Sequence, residues 1–157
     1  MKKFVYAAAL MGMALTGLTA APAMAQTTVP FHATFVETHH EPCAVGTSCG
    51  TANISGLGHV EDQYVVFNAC GPGCHMRTIN FDDGSTIVIR ESVLGPFESP
   101  GKSEGGSGAG NPRSLQITQE IVDGTGVFEG VTGSATGTVH VAANVAIIRT
   151  SGSLTYP

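Results

Sequence analysis

Past the first 25 residues, apolar side chains recur at every second position or in short runs broken by glycine, and none repeats at a helical period. The clearest alternation runs from Ser114 to Val122: Leu115, Ile117 and Ile121 share one face, and Ser114, Gln116, Thr118 and Glu120 share the other. Eight segments read as strands: Val29 to Thr38, Gly50 to His59, Gln63 to Asn68, Met76 to Phe81, Ser85 to Leu94, Arg113 to Val122, Ser134 to Ala142 and Val145 to Thr155. Asp82-Asp83-Gly84 and Ala142-Ala143-Asn144 carry the composition of tight hairpin turns. Between Gly95 and Pro112 the chain turns to Gly, Ser, Pro and charge, which predicts a long flexible loop within one sheet, because neither half alone has strands enough for a core. The expectation is an all-β chain with almost no helix.

The first residues need a different reading. Met1-Lys2-Lys3 is a short positive start, Phe4 to Leu18 is apolar or small, and Ala23-Met24-Ala25 fits a small-x-small cleavage site. Residues 1–25 therefore read as an export signal, too short in its apolar run for a membrane anchor, and residues 26–157 as a single domain. Removing 25 of the 157 residues leaves 132, with 5 basic against 12 acidic side chains once Lys2 and Lys3 are gone, a formal charge of −7. So acidic a chain lacks the clustered Lys and Arg that nucleic acid or an anionic membrane needs. No later stretch is apolar enough to span a bilayer, no motif points to a cofactor, and oligomeric state is left open. Export to a periplasmic or extracellular setting makes disulfides the favoured reading of Cys43, Cys49, Cys70 and Cys74. Three pairings are open; the local one, Cys43 with Cys49 and Cys70 with Cys74, is preferred because Gly71-Pro72-Gly73 makes a tight reversal.

The segment Ile121-Val122-Asp123-Gly124-Thr125-Gly126-Val127-Phe128-Glu129-Gly130-Val131-Thr132-Gly133-Ser134-Ala135-Thr136-Gly137 resembles the G-T-G-x-F-x-G signature of the allene oxide cyclase and dirigent superfamily. The resemblance spans about 35 residues from Arg113. It implies a closed antiparallel eight-stranded barrel, with Phe128 as an inward plug and an interior able to hold a hydrophobic small molecule. A lipocalin-like barrel and a β-sandwich are the alternatives that keep the same strands. The family's catalytic residues find no position-by-position match here.

Strand phase supplies candidate chemistry. Glu37 is in phase with Phe31, Ala33 and Phe35, Glu91 with Ile87, Ile89 and Val93, and Arg77 with Ile79 and Phe81. If those faces line the barrel, two carboxylates and a counter-charge point inward, where they orient a ligand's polar group or act as acid and base, with Tyr64 as a further lumenal participant. The competing reading leaves them solvated at strand ends, and it is favoured here because a boundary error of a few residues slips the phase. His39, His40 and His75 form a weaker alternative, an all-imidazole metal site, since oxidised cysteines offer no thiolate. The leading expectation is an exported, non-enzymatic barrel that binds a small hydrophobic ligand or acts in the envelope. An isomerase or cyclase of the resembled type, and a metal-binding protein, are the rivals.

Overall fold

The computed structural model describes residues 25–38, 42–94, 113–142 and 144–157, apart from the side chain of Arg113. Eight strands run in chain order around a closed barrel: β1 (Thr27–Thr38), β2 (Thr47–Ile54), β3 (Gly58–Val66), β4 (Cys74–Asn80), β5 (Thr86–Leu94), β6 (Arg113–Thr125), β7 (Thr132–Ala142) and β8 (Val145–Tyr156). Every neighbouring pair is antiparallel, and β1 closes the ring on β8 from Thr27 opposite Tyr156 to Thr38 opposite Val145. Closure leaves no open sheet edge, which an isolated meander would expose. The segments expected as export signal (residues 1–24 of it) and as the 95–112 loop lie outside the described residues, as do His39 and His40. β5 and β6, on either side of 95–112, pair directly.

Alternation puts the apolar set inside. Phe31, Phe35, Ile79, Ile87 and Ile89 have no surface open to water, so the middle of the lumen is filled by side chains. One end, at the β1–β2, β3–β4 and β7–β8 connections, carries both disulfides; it is called the loop end below. The other is plugged by the short 3-10 turn Gly126–Phe128, whose buried Phe128 packs against Phe81 at 4.6 Å and Tyr156 at 6.5 Å. The Asp82-Asp83-Gly84 turn forms as its composition predicts, with Gly84 at φ +83° and Asp83 Oδ1 accepting the Ser85 N–H at 2.9 Å. Hydrogen bonds from Ser85 hold the Asp83 carboxyl below its ordinary range.

Most strand ends lie within one to three residues of the sequence expectation, but β2 and β3 differ by more. The run Gly50 to His59 is not one strand: it breaks at a turn through Ser55, Gly56 and Leu57, and β3 starts at Gly58. Gly56 and Gly58 take φ of +79° and +89°, a backbone state that a glycine adopts without penalty. Along β3 the register also slips, Gly50 facing Gln63 while Ala52 faces Val60. One extra residue on β3 reverses which face its later side chains occupy.

Elsewhere the strands approach too closely for any Cβ. A Cβ added at Gly152 of β8 meets the Ser134 carbonyl at 1.9 Å and Ala135 Cα at 2.5 Å, both backbone. Gly152→Ala is expected to lower stability by at least about 2 kcal/mol, as overpacking does. Gly56→Ala, which meets nothing within 4 Å, should cost only about 1 kcal/mol for its left-handed backbone. Urea unfolding of the two variants checks the order.

Candidate functional site

Towards the loop end, six consecutive strands each send a polar side chain into the lumen: Glu37 from β1, Ser48 from β2, Gln63 from β3, Arg77 from β4, Glu91 from β5 and Gln119 from β6. All are buried, Arg77 with 1% of its surface exposed and the two glutamates with 5% and 4%. The solvated strand-end reading of Glu37 and Glu91 is therefore replaced by the inward one. The walls opposite are small: Ala146 on β8 faces Glu37, and Ala135 on β7 faces Gln119. That leaves width for six long or polar side chains in one layer.

Arg77 is the hub. Its Nε donates to Glu91 Oε1 at 2.7 Å and Nη2 to Glu91 Oε2 at 3.1 Å, the side-on bidentate geometry of a guanidinium on a carboxylate. Nη2 also donates to Glu37 Oε1 at 3.0 Å, and Nη1 to Gln63 Oε1 at 2.5 Å. The guanidinium carbon lies 4.1 Å from the centre of the Phe35 ring, a cation–π contact in a dry environment. Gln119 Nε2 donates to Glu91 Oε1 at 2.5 Å, and the Ser48 hydroxyl donates to Glu37 Oε2. Each of the four carboxylate oxygens thus accepts at least one hydrogen bond. Burial pulls the Arg77 pKa down, but Glu91 and Glu37 outweigh it through charge and hydrogen bonds, and the guanidinium stays charged well above any accessible pH.

Two polar atoms of this layer are left over. Gln63 Nε2 and Gln119 Oε1 are fully buried and find no hydrogen-bond partner among the described residues, one a donor and one an acceptor. Their amide orientations follow from the bonds to Arg77 and Glu91, because flipping either would set like against like.

His75 sits beside Glu91 in the β4–β5 register, with only 9% of its surface exposed. Its Nδ1 accepts the Asn68 N–H at 3.0 Å, so the neutral ring carries its proton on Nε2. Its edge meets Phe67 at 5.2 Å. Desolvation lowers its pKa, Glu91 and Glu37 pull it back up, Arg77 lowers it further, and the balance lies below 6.5.

The other sequence candidates fall apart from this layer. Tyr64 is 37% exposed on the outer wall, because the β3 bulge turns Gln63 and Val65 inward instead. Phe128 plugs the opposite end. Among the described residues no three His, Cys, Asp or Glu side chains converge as a metal site. The cysteines pair locally, Cys43 with Cys49 and Cys70 with Cys74. A separate groove of about 550 Å³ opens on the outer wall among His32, Asn53, His59 and Arg149, with the buried Thr150 in its lining, and none of the six residues of the layer lines it. No helix among the described residues is long and apolar enough to cross a membrane.

Ser48, Gln63 and Gln119 escaped the sequence reading. Gln119 carried a usable signal, standing in phase with Leu115, Ile117 and Ile121. Gln63 did not, since only the bulge brings it inward.

Taken together, these features define a closed, antiparallel eight-stranded β-barrel with a buried ionic layer. No protein-family model matches the chain, and no curated protein does. Among solved structures it is similar to a pterocarpan synthase dirigent protein at 15% identity and a TM-score of 0.49, over 87% of this chain and 89% of that one. A second pterocarpan synthase dirigent protein is similar at 16% identity and a TM-score of 0.39, over 83% and 95%. The closure of the barrel is read from the strand pairing itself.

Removing the hub strands its partners. Arg77→Met is expected to cost about 3–5 kcal/mol, because two carboxylates remain buried without a counter-charge. Restoring neutrality with Arg77→Met, Glu37→Gln and Glu91→Gln together should recover much of that loss in urea titrations. His75 sets a pH trend of known sign. Its folded pKa is depressed, so the unfolded chain binds the proton first, and stability falls as pH drops through 6.5 towards the folded value. Thermal midpoints between pH 7.5 and 5.5 should decline in the native protein and flatten in His75→Gln; equal slopes would rule this out.

Proposed function

We propose that this chain is an exported, non-enzymatic barrel that binds a small, mostly apolar molecule at the loop end of its lumen, holding the ligand's polar group against the buried layer. The observation that carries this reading is the pair of unsatisfied atoms, Gln63 Nε2 and Gln119 Oε1, flanking the Arg77 hub. A buried donor and a buried acceptor without partners are costly, and a ligand hydroxyl, carbonyl or amide that reaches them recovers that cost. The filled mid-lumen confines such a ligand to the loop end and requires side chains there to give way. Two local disulfides agree with life outside a reducing compartment.

Binding is favoured over isomerase or cyclase chemistry by the state of the carboxylates. A general acid or base must reach substrate with a free oxygen, and all four oxygens of Glu37 and Glu91 are already engaged within the layer. Tyr64, the other proton donor considered for the lumen, lies outside it.

The test is native mass spectrometry of protein purified from an exporting host, followed by denaturation and analysis of released organic compounds. A co-purifying small molecule that the wild type retains and Gln63→Leu with Gln119→Leu releases supports the reading. Equal retention by both, or a wild-type mass with nothing released and no binding across a panel of hydrophobic alcohols and acids, overturns it.

A further inference from the structure

Both disulfides close short rings, with sequence separations of 6 for Cys43–Cys49 and 4 for Cys70–Cys74, but their surroundings differ. Cys49 stands inside the β2 ladder, opposite Thr38 of β1 and Tyr64 of β3, and both cysteines of its pair are half-buried. Cys70 is exposed in a turn outside any strand, whereas Cys74 is half-buried as the first residue of β4, opposite Ser92. Cys70 is therefore the most exposed residue of the four cysteines, and access is one of the factors that set exchange rates.

The Cys70–Cys74 turn is also held by bonds that use no sulfur. The Gly71 N–H donates to the Asn68 carbonyl at 3.2 Å, and the Cys74 N–H to the Gly71 carbonyl at 3.0 Å. The Gly73 N–H donates to Asn68 Oδ1 at 3.0 Å, and the Asn68 N–H to His75 Nδ1 at 3.0 Å. Breaking the sulfur bond leaves these four in place, so the two thiols stay near each other and ready to re-form it.

We infer that Cys70–Cys74 is a reversible redox centre that exchanges with small-molecule thiols, while Cys43–Cys49 is structural. A thiolate attacks the Cys70 sulfur, the Cys70–Cys74 bond breaks, and its electron pair leaves on the Cys74 sulfur, which takes a proton from solvent. A second thiolate attacks the small-molecule sulfur of this mixed disulfide and expels Cys70 as a thiolate. In sum, two thiols become one disulfide and the protein pair gains two electrons and two protons.

Glutathione is the probe. The folded wild-type protein is incubated with reduced glutathione, quenched in acid, alkylated and mapped by peptide mass. Cys70 and Cys74 should be labelled at least about tenfold faster than Cys43 and Cys49, with the mixed disulfide trapped on Cys70, since exposure governs attack. Strand circular dichroism and exchange protection of the Asn68 and Gly73 amides should persist in the reduced form, and oxidised glutathione should close the pair again. The inference is overturned if Cys43–Cys49 opens first or at the same rate, if Cys70 and Cys74 are labelled only as the fold is lost, or if the two amides lose protection on reduction.

Discussion

One guanidinium organises the interior. Arg77 on β4 reaches Glu37 on β1, Gln63 on β3 and Glu91 on β5, and rests on Phe35 of β1. A single side chain therefore links strands far apart in the ring, and it does so buried from the surface. Such a layer is tolerable only when it is complete, because a buried charge that loses its partner costs far more than the pair contributes. Closure of the barrel and assembly of the layer thus depend on each other. The strands must close to exclude water, and the layer must be paired before water can leave.

The surrounding residues follow from that constraint. β7 and β8 give alanine where they face the layer, so the long side chains of the first six strands have room. The bulge on β3 turns Gln63 towards Arg77 and Tyr64 away, exchanging an aromatic phenol for an amide that accepts from the guanidinium. At the other end the Phe128 plug makes an aromatic seal with Phe81 and Tyr156. The lumen is therefore polarised along its axis, ionic towards the disulfides and apolar towards the 3-10 turn.

Period-two alternation exposes most of the strands and puts Glu37, Arg77 and Glu91 in phase with inward apolar residues, although the solvated strand-end reading was the favoured one. It failed where the period itself breaks. An unbroken alternation from Val60 would turn Asp62 and Tyr64 inward, and nothing in the residues Glu61 and Asp62 announces the extra position between them. Ser48 was missed because it precedes Gly50, where the second strand was taken to begin. The break at Ser55-Gly56-Leu57 was hidden by flanking residues that suit either a strand or a turn. The local cysteine pairing was the preferred one of three open to the sequence, because Gly71-Pro72-Gly73 makes a tight reversal.

The pairing of β1 with β8 over its full length has a consequence for how the molecule comes into being. Chains emerge from the ribosome beginning with β1, and seven of the eight contacts between neighbouring strands are available in sequence order as synthesis proceeds. The eighth joins the two ends of the sequence and forms last. Until then β1 presents an unsatisfied edge, and the Arg77 layer stands open along the β8 side. An all-β chain that closes through its two ends folds more slowly than a helical one of similar size. The nascent barrel therefore remains unlocked until β8 arrives to latch it.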